Sequence, residues 1–209
     1  MICTNDWYCF SSVLDKNTCD KIIALGGNDF HAGKVLLNKG PTEEERNHGL
    51  NEVFGIDEQW RSSDLKWIDE KWVYNLITPF MHKANSNSGW KFDIETVEEV
   101  QLTRYQEGDF YSWHVDGTSD SLSTYNTPDN KFKNGYVKKI SMTILLNDDF
   151  DGGEFQFSSS RKEKINISTP ELKTGSIIFF PPWMEHRVKP IIKGTRYSLV
   201  GWFLGYPFK

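Results

Sequence analysis

The stretch "FYSWHVDG", residues 110–117, carries a histidine and an aspartate two positions apart in an aromatic-rich run. Successive side chains of a β-strand point to opposite faces, so residues i and i+2 share a face. If this run is a strand, His114 and Asp116 aim at the same point. Both side chain types bind metal ions, so the stretch predicts a metal-binding position on a sheet.

A second segment, "PPWMEHRVKPIIKGTRYSLVGW" at residues 181–202, completes the candidate site. His186 follows a run rich in Ile and Phe, and Arg196 lies ten residues further on. Two histidines and one carboxylate form a facial triad, which suits Fe(II) and leaves positions open for a bidentate 2-oxo acid and dioxygen. The guanidinium fork of Arg196 matches the distal carboxylate of such a cosubstrate.

Simpler interpretations of the same residues remain open. His114 and Asp116 alone are also compatible with a hydrogen-bonded histidine beside a turn aspartate, and short motifs of this kind arise by chance. Arg196 alone fits a surface strand. Two rival functions follow, a metalloenzyme that shares the triad and uses no 2-oxo acid, and a non-catalytic binding module in which the H-x-D pair is accidental.

The region after residue 89 consists of short runs rich in β-branched and aromatic residues, separated by turn signals. Eight or nine such strands predict a sandwich or barrel. No interval is long enough for a crossover helix, so the sheets should be mostly antiparallel. We predict an α+β, mostly β fold, with a core at 90–209 and a helical and loop support region at 1–89, together forming one domain over 1–209.

The support region shows two helical patterns. "SSVLDKNTCDKIIALGG", residues 11–27, begins with capping residues and stops at a glycine pair, which predicts a short helix. Residues 31–61 read as a loop-rich excursion with room for one strand. From Ser63 onward one face stays apolar for about five turns, which predicts a long helix that ends at "ANSNSG".

A long polar segment, "GTSDSLSTYNTPDNKFKNGYV" at residues 117–137, starts directly after Asp116. Connections of this length inside a compact domain are uncommon, and they are usually binding loops, lids or disordered segments. Its position beside the candidate site favours a lid or binding loop.

Composition excludes several classes of function. The formal net charge is -5 and the lysines are scattered, so nucleic acid is not an expected partner. The three cysteines, all within the first 19 residues, lack zinc-site spacing and predict free thiols in a reducing compartment. No signal peptide or membrane-spanning run is visible, so we expect a cytoplasmic protein without a membrane partner.

Taken together, the motifs resemble those of the iron(II)/2-oxoglutarate-dependent oxygenases, and within them the prolyl hydroxylase group. The resemblance covers about residues 99–204 and implies a double-stranded β-helix, or jelly roll, that carries the H-x-D pair and the distal histidine on separate strands. The matching positions are His114, Asp116 and His186. Collagen-type prolyl 4-hydroxylases usually have lysine where this chain has Arg196, whereas oxygen-sensing and bacterial members have arginine.

The resemblance also implies roles for four further residues. Tyr105 and Thr143 match positions that contact the cosubstrate near its distal carboxylate. Tyr111 and Trp202 match aromatic residues on the substrate side of the iron. Tyrosines and tryptophans also fill strand cores, so a packing role is the alternative for Tyr105, Tyr111 and Trp202.

The activity implied by the resemblance is hydroxylation of a prolyl residue in a peptide or protein. The reaction uses Fe(II), dioxygen and 2-oxoglutarate, releases succinate and CO2, and takes ascorbate as a reductant. A free amino acid or small metabolite is the alternative substrate, because neither the fold nor the metal site specifies the substrate.

Overall fold

Two antiparallel β-sheets carry the fold in the computed structural model, which describes residues 5–36, 43, 54–116, 124–127, 129–161 and 164–208. The strands of the first half are β1 (Tyr8–Phe10), β2 (His31–Ala32), β3 (Val35–Leu36), β4 (Phe54–Gly55), β5 (Arg61–Ser62), β6 (Asp64–Ile68), β7 (Thr96–Val97), β8 (Val100–Tyr105) and β9 (Phe110–His114). Those of the second half are β10 (Val137–Leu145), β11 (Asp151–Gly152), β12 (Phe155–Arg161), β13 (Lys164–Ser168), β14 (Ile177–Phe180), β15 (Glu185–Val188), β16 (Ile191–Lys193) and β17 (Arg196–Gly205).

The larger sheet has the strand order β1-β14-β10-β17-β8-β6-β2, with β7 also paired to β17. The smaller sheet has the order β13-β12-β15-β9-β5. Two short ribbons, β11-β16 and β3-β4, complete the pairing among the described residues. The mostly β, antiparallel jelly-roll architecture predicted from the sequence is therefore confirmed.

Two helices of the described residues, α1 and α2, precede the core strands. Helix α1 (Lys16–Ala24) begins where the carboxylate of Asp15 accepts a hydrogen bond from the backbone N–H of Thr18 at 2.7 Å, an N-cap that satisfies a free donor. Helix α2 (Lys71–Asn87) buries Val73, Ile77, Met81 and Ala84 along one face. The predicted N-terminal helix is thus confirmed.

The predicted start of the long helix at Ser63 is wrong. Residues Asp64–Ile68 form β6, which pairs with β8, and α2 begins at Lys71. Leu65 and Ile68 suit either a helical face or a strand, because a short apolar run does not distinguish the two. Pairing with β8 decides the matter, since it satisfies the backbone donors and acceptors of both strands.

The N-terminal segment contributes more strands than its sequence indicates. β1, β2 and β6 belong to the larger sheet, and β5 forms one edge of the smaller sheet. Residues 31–61 contain β2, β3 and β4 among their described parts. In the predicted strand-rich region, residues 90–97 contribute only the two residues of β7. The division of the chain at residue 89 stays a prediction.

Two apolar clusters hold the sheets in place. The larger one joins both helices to the larger sheet, with Ile22, Ile77 and Phe203 among its fully buried members. The smaller one lies between the sheets and is rich in aromatic rings, including Phe155, Phe157 and Phe180. No helix of the described residues is long and apolar enough to cross a membrane.

Gly175 ties the start of α1 to the larger sheet, and we predict that alanine there destabilises the fold. Gly175 has φ +78, and a Cβ would lie 2.0 Å from the Leu14 carbonyl oxygen. Gly108 has φ +86 with nothing within 4 Å of its Cβ position, so Gly108→Ala is a matched control that costs about 1 kcal/mol through conformation alone. Gly175→Ala should cost at least about 1 kcal/mol more, measured by urea unfolding. Equal costs would contradict this packing.

Candidate active site

His114, Asp116 and His186 form a cluster in which one ligand atom of each lies within 4.8 Å of the others. His114 Nε2 lies 4.0 Å from Asp116 Oδ1, and His186 Nε2 lies 3.8 Å from Asp116 Oδ2. Asp116 and His186 are buried, and His114 is half-buried. Two imidazoles and one carboxylate at this spacing are a facial triad of the kind that binds Fe(II).

The pairing of β15 with β9 brings the two histidines together. His186 stands directly opposite His114 in the antiparallel register, and their ring centroids are 4.2 Å apart. The expected strand alternation does not place Asp116, because β9 ends at His114. Instead the backbone N–H of Asp116 donates to the Pro182 carbonyl at 2.9 Å. This hydrogen bond holds Asp116 next to the segment that leads into β15.

Each histidine is oriented by a backbone carbonyl. His114 Nδ1 lies 2.8 Å from the Ser112 carbonyl oxygen, and His186 Nδ1 lies 2.8 Å from that of Met184. A carbonyl only accepts, so each Nδ1–H donates and each Nε2 lone pair faces the cluster. Burial, together with the neighbouring His186, lowers the pKa of His114 to about 3. The imidazole is therefore neutral at physiological pH, as a metal ligand must be.

Asp116 is a buried carboxylate that is ionised but incompletely paired. Burial alone would raise its pKa, but its interactions with the neighbouring His186 and Lys138 lower the pKa to about 2. Its Oδ2 is buried and has no hydrogen-bond partner among the described residues. An uncompensated buried carboxylate is costly, and a divalent cation would supply the missing partner. The residues present therefore fit an iron ion.

Arg196 presents a second unmet charge in the same cavity. Its side chain is 1% exposed, Nη1 donates to Ser198 Oγ at 3.0 Å, and Nε is buried without a partner. No carboxylate of the described residues lies within ion-pair distance of it. Burial lowers the pKa of Arg196, yet a guanidinium stays charged in proteins. Such a group is suited to bind an anionic ligand.

A cavity of about 750 Å³ between the two sheets contains all of these groups. Its lining includes Tyr105, Thr143, Tyr111 and Trp202, so the structure brings together every site residue that the sequence indicates. Burial raises the pKa of Tyr105, although the charges of Arg61 and Arg196 oppose that rise. Its hydroxyl therefore stays protonated and can donate a hydrogen bond. The individual roles stay predictions.

Tyr111 and Trp202 reach the cavity from different sheets. The ring of Tyr111 stacks on His114 with centroids 3.6 Å apart. Trp202 pairs with Trp67 at 6.1 Å, and its Nε1 is buried without a hydrogen-bond partner. Lys138 Nζ lies 4.0 Å from the Trp202 ring centroid, which is a cation–π contact.

Sequence patterns missed several residues that line the cavity, notably Arg61, Trp67 and Lys138. Arg61 and Trp67 lie on β5 and β6, in the segment that looked like a loop followed by the start of a helix. The pairing of these strands with β9 and β8 brings them to the site. No motif or spacing marks them, because the pairings join residues far apart in sequence.

Residues 100–204, about half of the chain, match the 2OG-Fe(II) oxygenase superfamily. A PKHD-type hydroxylase of Idiomarina loihiensis is 34% identical over 195 residues, which are 92% of this chain and 74% of that protein. A PKHD-type hydroxylase of Synechococcus sp. (strain CC9902) is 33% identical over 115 residues, 54% of this chain and 44% of that protein. The chain therefore spans less than half of the Synechococcus relative.

Solved structures share the fold. A Trichoplax adhaerens prolyl hydroxylase, solved with a peptide fragment of the hypoxia inducible factor oxygen degradation domain, has a TM-score of 0.66 at 16% identity, covering 96% of this chain and 84% of that one. A Pseudomonas putida prolyl-4-hydroxylase has a TM-score of 0.62 at 19% identity, covering 96% of this chain and 92% of that one. At these identities the likeness concerns the fold.

The chain belongs to the 2OG-Fe(II) oxygenase superfamily. It is a 2-oxoglutarate-dependent dioxygenase, and the family implies Fe(II) as its cofactor, with 2-oxoglutarate and dioxygen as cosubstrates. The cluster of His114, Asp116 and His186 is the candidate site for that iron.

We predict that Asp116→Asn weakens metal binding at least about tenfold, because it removes the one charged ligand from the cluster. Mn(II) affinity, measured by calorimetry without oxygen, checks this. His82→Gln on α2 is the control, since His82 lies outside the cluster and the cavity lining. Retention of full Mn(II) affinity by Asp116→Asn would contradict the assignment.

Proposed function

We propose that this protein hydroxylates a prolyl residue in a peptide or protein, coupled to oxidative decarboxylation of 2-oxoglutarate to succinate and CO2. The observation that carries the proposal is one cavity that holds both the His114, Asp116 and His186 cluster and the buried guanidinium of Arg196. The jelly-roll fold, shared with prolyl hydroxylases, supports the prolyl substrate by analogy.

The residues of the cavity divide into two binding roles in this proposal. His114, Asp116 and His186 hold Fe(II), which when bound supplies the oxygen activation that hydroxylation of an unactivated carbon requires. Arg196 offsets the charge of the distal carboxylate of 2-oxoglutarate. The protonated hydroxyl of Tyr105 and that of Thr143 donate hydrogen bonds to it. Holding the cosubstrate at both ends orients its keto acid toward the cluster.

The open end of the cavity suits a peptide. Phe54, Trp60 and Trp67 line it and are 55%, 49% and 49% exposed, so apolar rings face solvent at its mouth. Exposed aromatic patches of this kind mark binding surfaces. Tyr111 and Trp202, deeper in the cavity, provide the walls against which a pyrrolidine ring would pack.

The segment 117–137 serves as a lid in this proposal, although residues 117–123 and 128 lie outside the described residues. Its described part is anchored on the buried carboxylate of Glu98. Tyr125 donates to Glu98 Oε2 at 3.2 Å, and Lys133 Nζ lies 3.0 Å from Oε1. The backbone N–H of Glu98 donates to the Trp202 carbonyl. Closure of such a lid would exclude water from the site.

Two experiments test the proposed function. Addition of 2-oxoglutarate to the Fe(II)-loaded protein without oxygen should produce a weak visible absorption band, from charge transfer between metal and keto acid. Mass spectrometry of candidate proteins, incubated with enzyme, Fe(II), ascorbate and 2-oxoglutarate, should then show one added oxygen on proline. Absence of the band would reject the chemistry, whereas oxygen only on free amino acids or metabolites would reject the peptide substrate.

Arg196→Met should abolish the preference for 2-oxoglutarate over 2-oxobutyrate, which lacks the distal carboxylate. We expect at least a hundredfold loss of 2-oxoglutarate affinity, since a buried charged pair loses one partner. The absorption band gives the affinities, and Mn(II) binding should not change. Arg187→Met is the control, because Arg187 packs over Trp113 and does not line the cavity. An intact preference in Arg196→Met would refute the role.

Glu98→Gln should loosen the lid, because it removes the charge that Lys133 and Lys138 share. We expect faster limited tryptic cleavage at Lys131 and Lys133 in the variant. In the wild type, 2-oxoglutarate plus a substrate peptide should slow that cleavage. Cleavage that ignores both the substitution and the ligands would contradict a lid.

A further inference from the structure

We propose that Arg61 binds a carboxylate of the primary substrate, so that the enzyme selects acidic substrates. This inference rests on the proposed function and specifies its substrate class. The acceptor would be a prolyl residue next to an acidic side chain or to a free C-terminal carboxylate. Arg61 is therefore a specificity-determining residue, separate from the cosubstrate-binding Arg196.

Arg61 lies beside the metal cluster. On β5 it stands opposite Tyr111 in register, and its Cζ lies 4.6 Å from the centroid of that ring. The Tyr111 ring in turn stacks on the His114 ring, with their centroids 3.6 Å apart. Arg61 lines the cavity and is only 5% exposed. Its charge opposes the burial-driven rise in the pKa of both Tyr105 and Tyr111.

The guanidinium of Arg61 has an unused hydrogen-bonding end. Nε donates to Ser63 Oγ at 2.7 Å, but Nη2 is buried with no partner among the described residues. None of the ion pairs between described residues includes Arg61. A buried charge without a counterion is costly to keep. Such a group in a ligand cavity is accounted for when the ligand supplies the counterion.

Gly33 and Ser63 pack closely around the guanidinium of Arg61. A Cβ at Gly33 would lie 2.6 Å from Arg61 Nε and 2.8 Å from Cζ, so only glycine leaves room for the guanidinium there. The backbone N–H of Gly33 also donates to the Ser63 carbonyl at 2.7 Å, which holds the residue between β5 and β6 that accepts from Nε. These contacts hold the guanidinium against the Tyr111 ring.

Charge balance favours the substrate over the cosubstrate as the partner of Arg61. The two positive charges of Fe(II) and that of Arg196 are offset by Asp116 and the two carboxylates of 2-oxoglutarate. Lys138 already has Glu98 as a partner, with Nζ 3.9 Å from Oε2. Asp116 is the one acidic residue among the described residues that line the cavity. Lys34 also lines the cavity but is exposed to solvent, so the buried charge of Arg61 remains for another anion.

The competing explanation is that Arg61 only positions Tyr111 against His114. Its loss would then impair every substrate to the same degree. A carboxylate-binding role predicts instead a loss confined to acidic substrates. The ratio between matched acidic and neutral substrates separates the two explanations.

The test uses amide-capped pentapeptides with a central proline, in which each flanking position carries Glu or Gln in equal amounts. The same peptides with a free C-terminus form the second set. Wild-type enzyme, Fe(II), ascorbate and 2-oxoglutarate should add oxygen to carboxylate-bearing members at least about tenfold faster by mass spectrometry. Arg61→Met should bring that ratio close to one, and Arg61→Lys should retain part of it.

A binding measurement decides the matter independently of turnover. The matched Glu and Gln pentapeptides, amide-capped and with a free C-terminus, are titrated by NMR into the full chain loaded with Zn(II) and 2-oxoglutarate. Tighter binding of the carboxylate-bearing peptides that disappears in Arg61→Met supports the inference. Equal binding of the acidic and neutral peptides, or a preference that survives in Arg61→Met, overturns it. Absence of the Fe(II)–2-oxoglutarate absorption band in the wild type would instead reject the proposed function itself.

Discussion

The active site depends on a buried, ionised carboxylate that the protein leaves partly unpartnered. Asp116 keeps its charge because its interactions with His186 and Lys138 outweigh the effect of burial, yet one of its oxygens accepts no hydrogen bond from the described residues. Both imidazoles use their Nδ1–H on backbone carbonyls, so neither donates to that oxygen. Without a bound cation this arrangement of Asp116 is unfavourable, and a divalent cation would stabilise it.

The same principle extends across the cavity to two buried guanidiniums. Arg196 and Arg61 both have buried nitrogens without partners, and they lie on opposite sheets. Aromatic rings between the sheets lower the local polarity, which strengthens each electrostatic interaction within the cavity. A protein with a net charge of -5 thus concentrates positive charge at one internal place. In our proposals the two arginines distinguish the cosubstrate from the substrate by the carboxylate that each one binds.

Some expectations from the sequence failed for identifiable reasons. Leu65 and Ile68 fit the apolar face of the following helix, but their backbone pairs with β8 instead. Asp116 was expected on the same strand as His114, but it lies beyond the end of β9 and is placed by a hydrogen bond to Pro182. In both cases a partner distant in sequence overrides the local pattern.

The sequence by itself determined the strand-rich core, the antiparallel connections and four candidate site residues, because alternation, turn residues and motif spacing are local properties. The family resemblance implied the other four. Only the tertiary structure decided that Arg61 and Trp67 reach the cavity and that the histidines meet across β9 and β15. Those facts depend on strand pairing between remote segments. The local sequence of a strand does not specify which remote strand its backbone donors and acceptors will pair with.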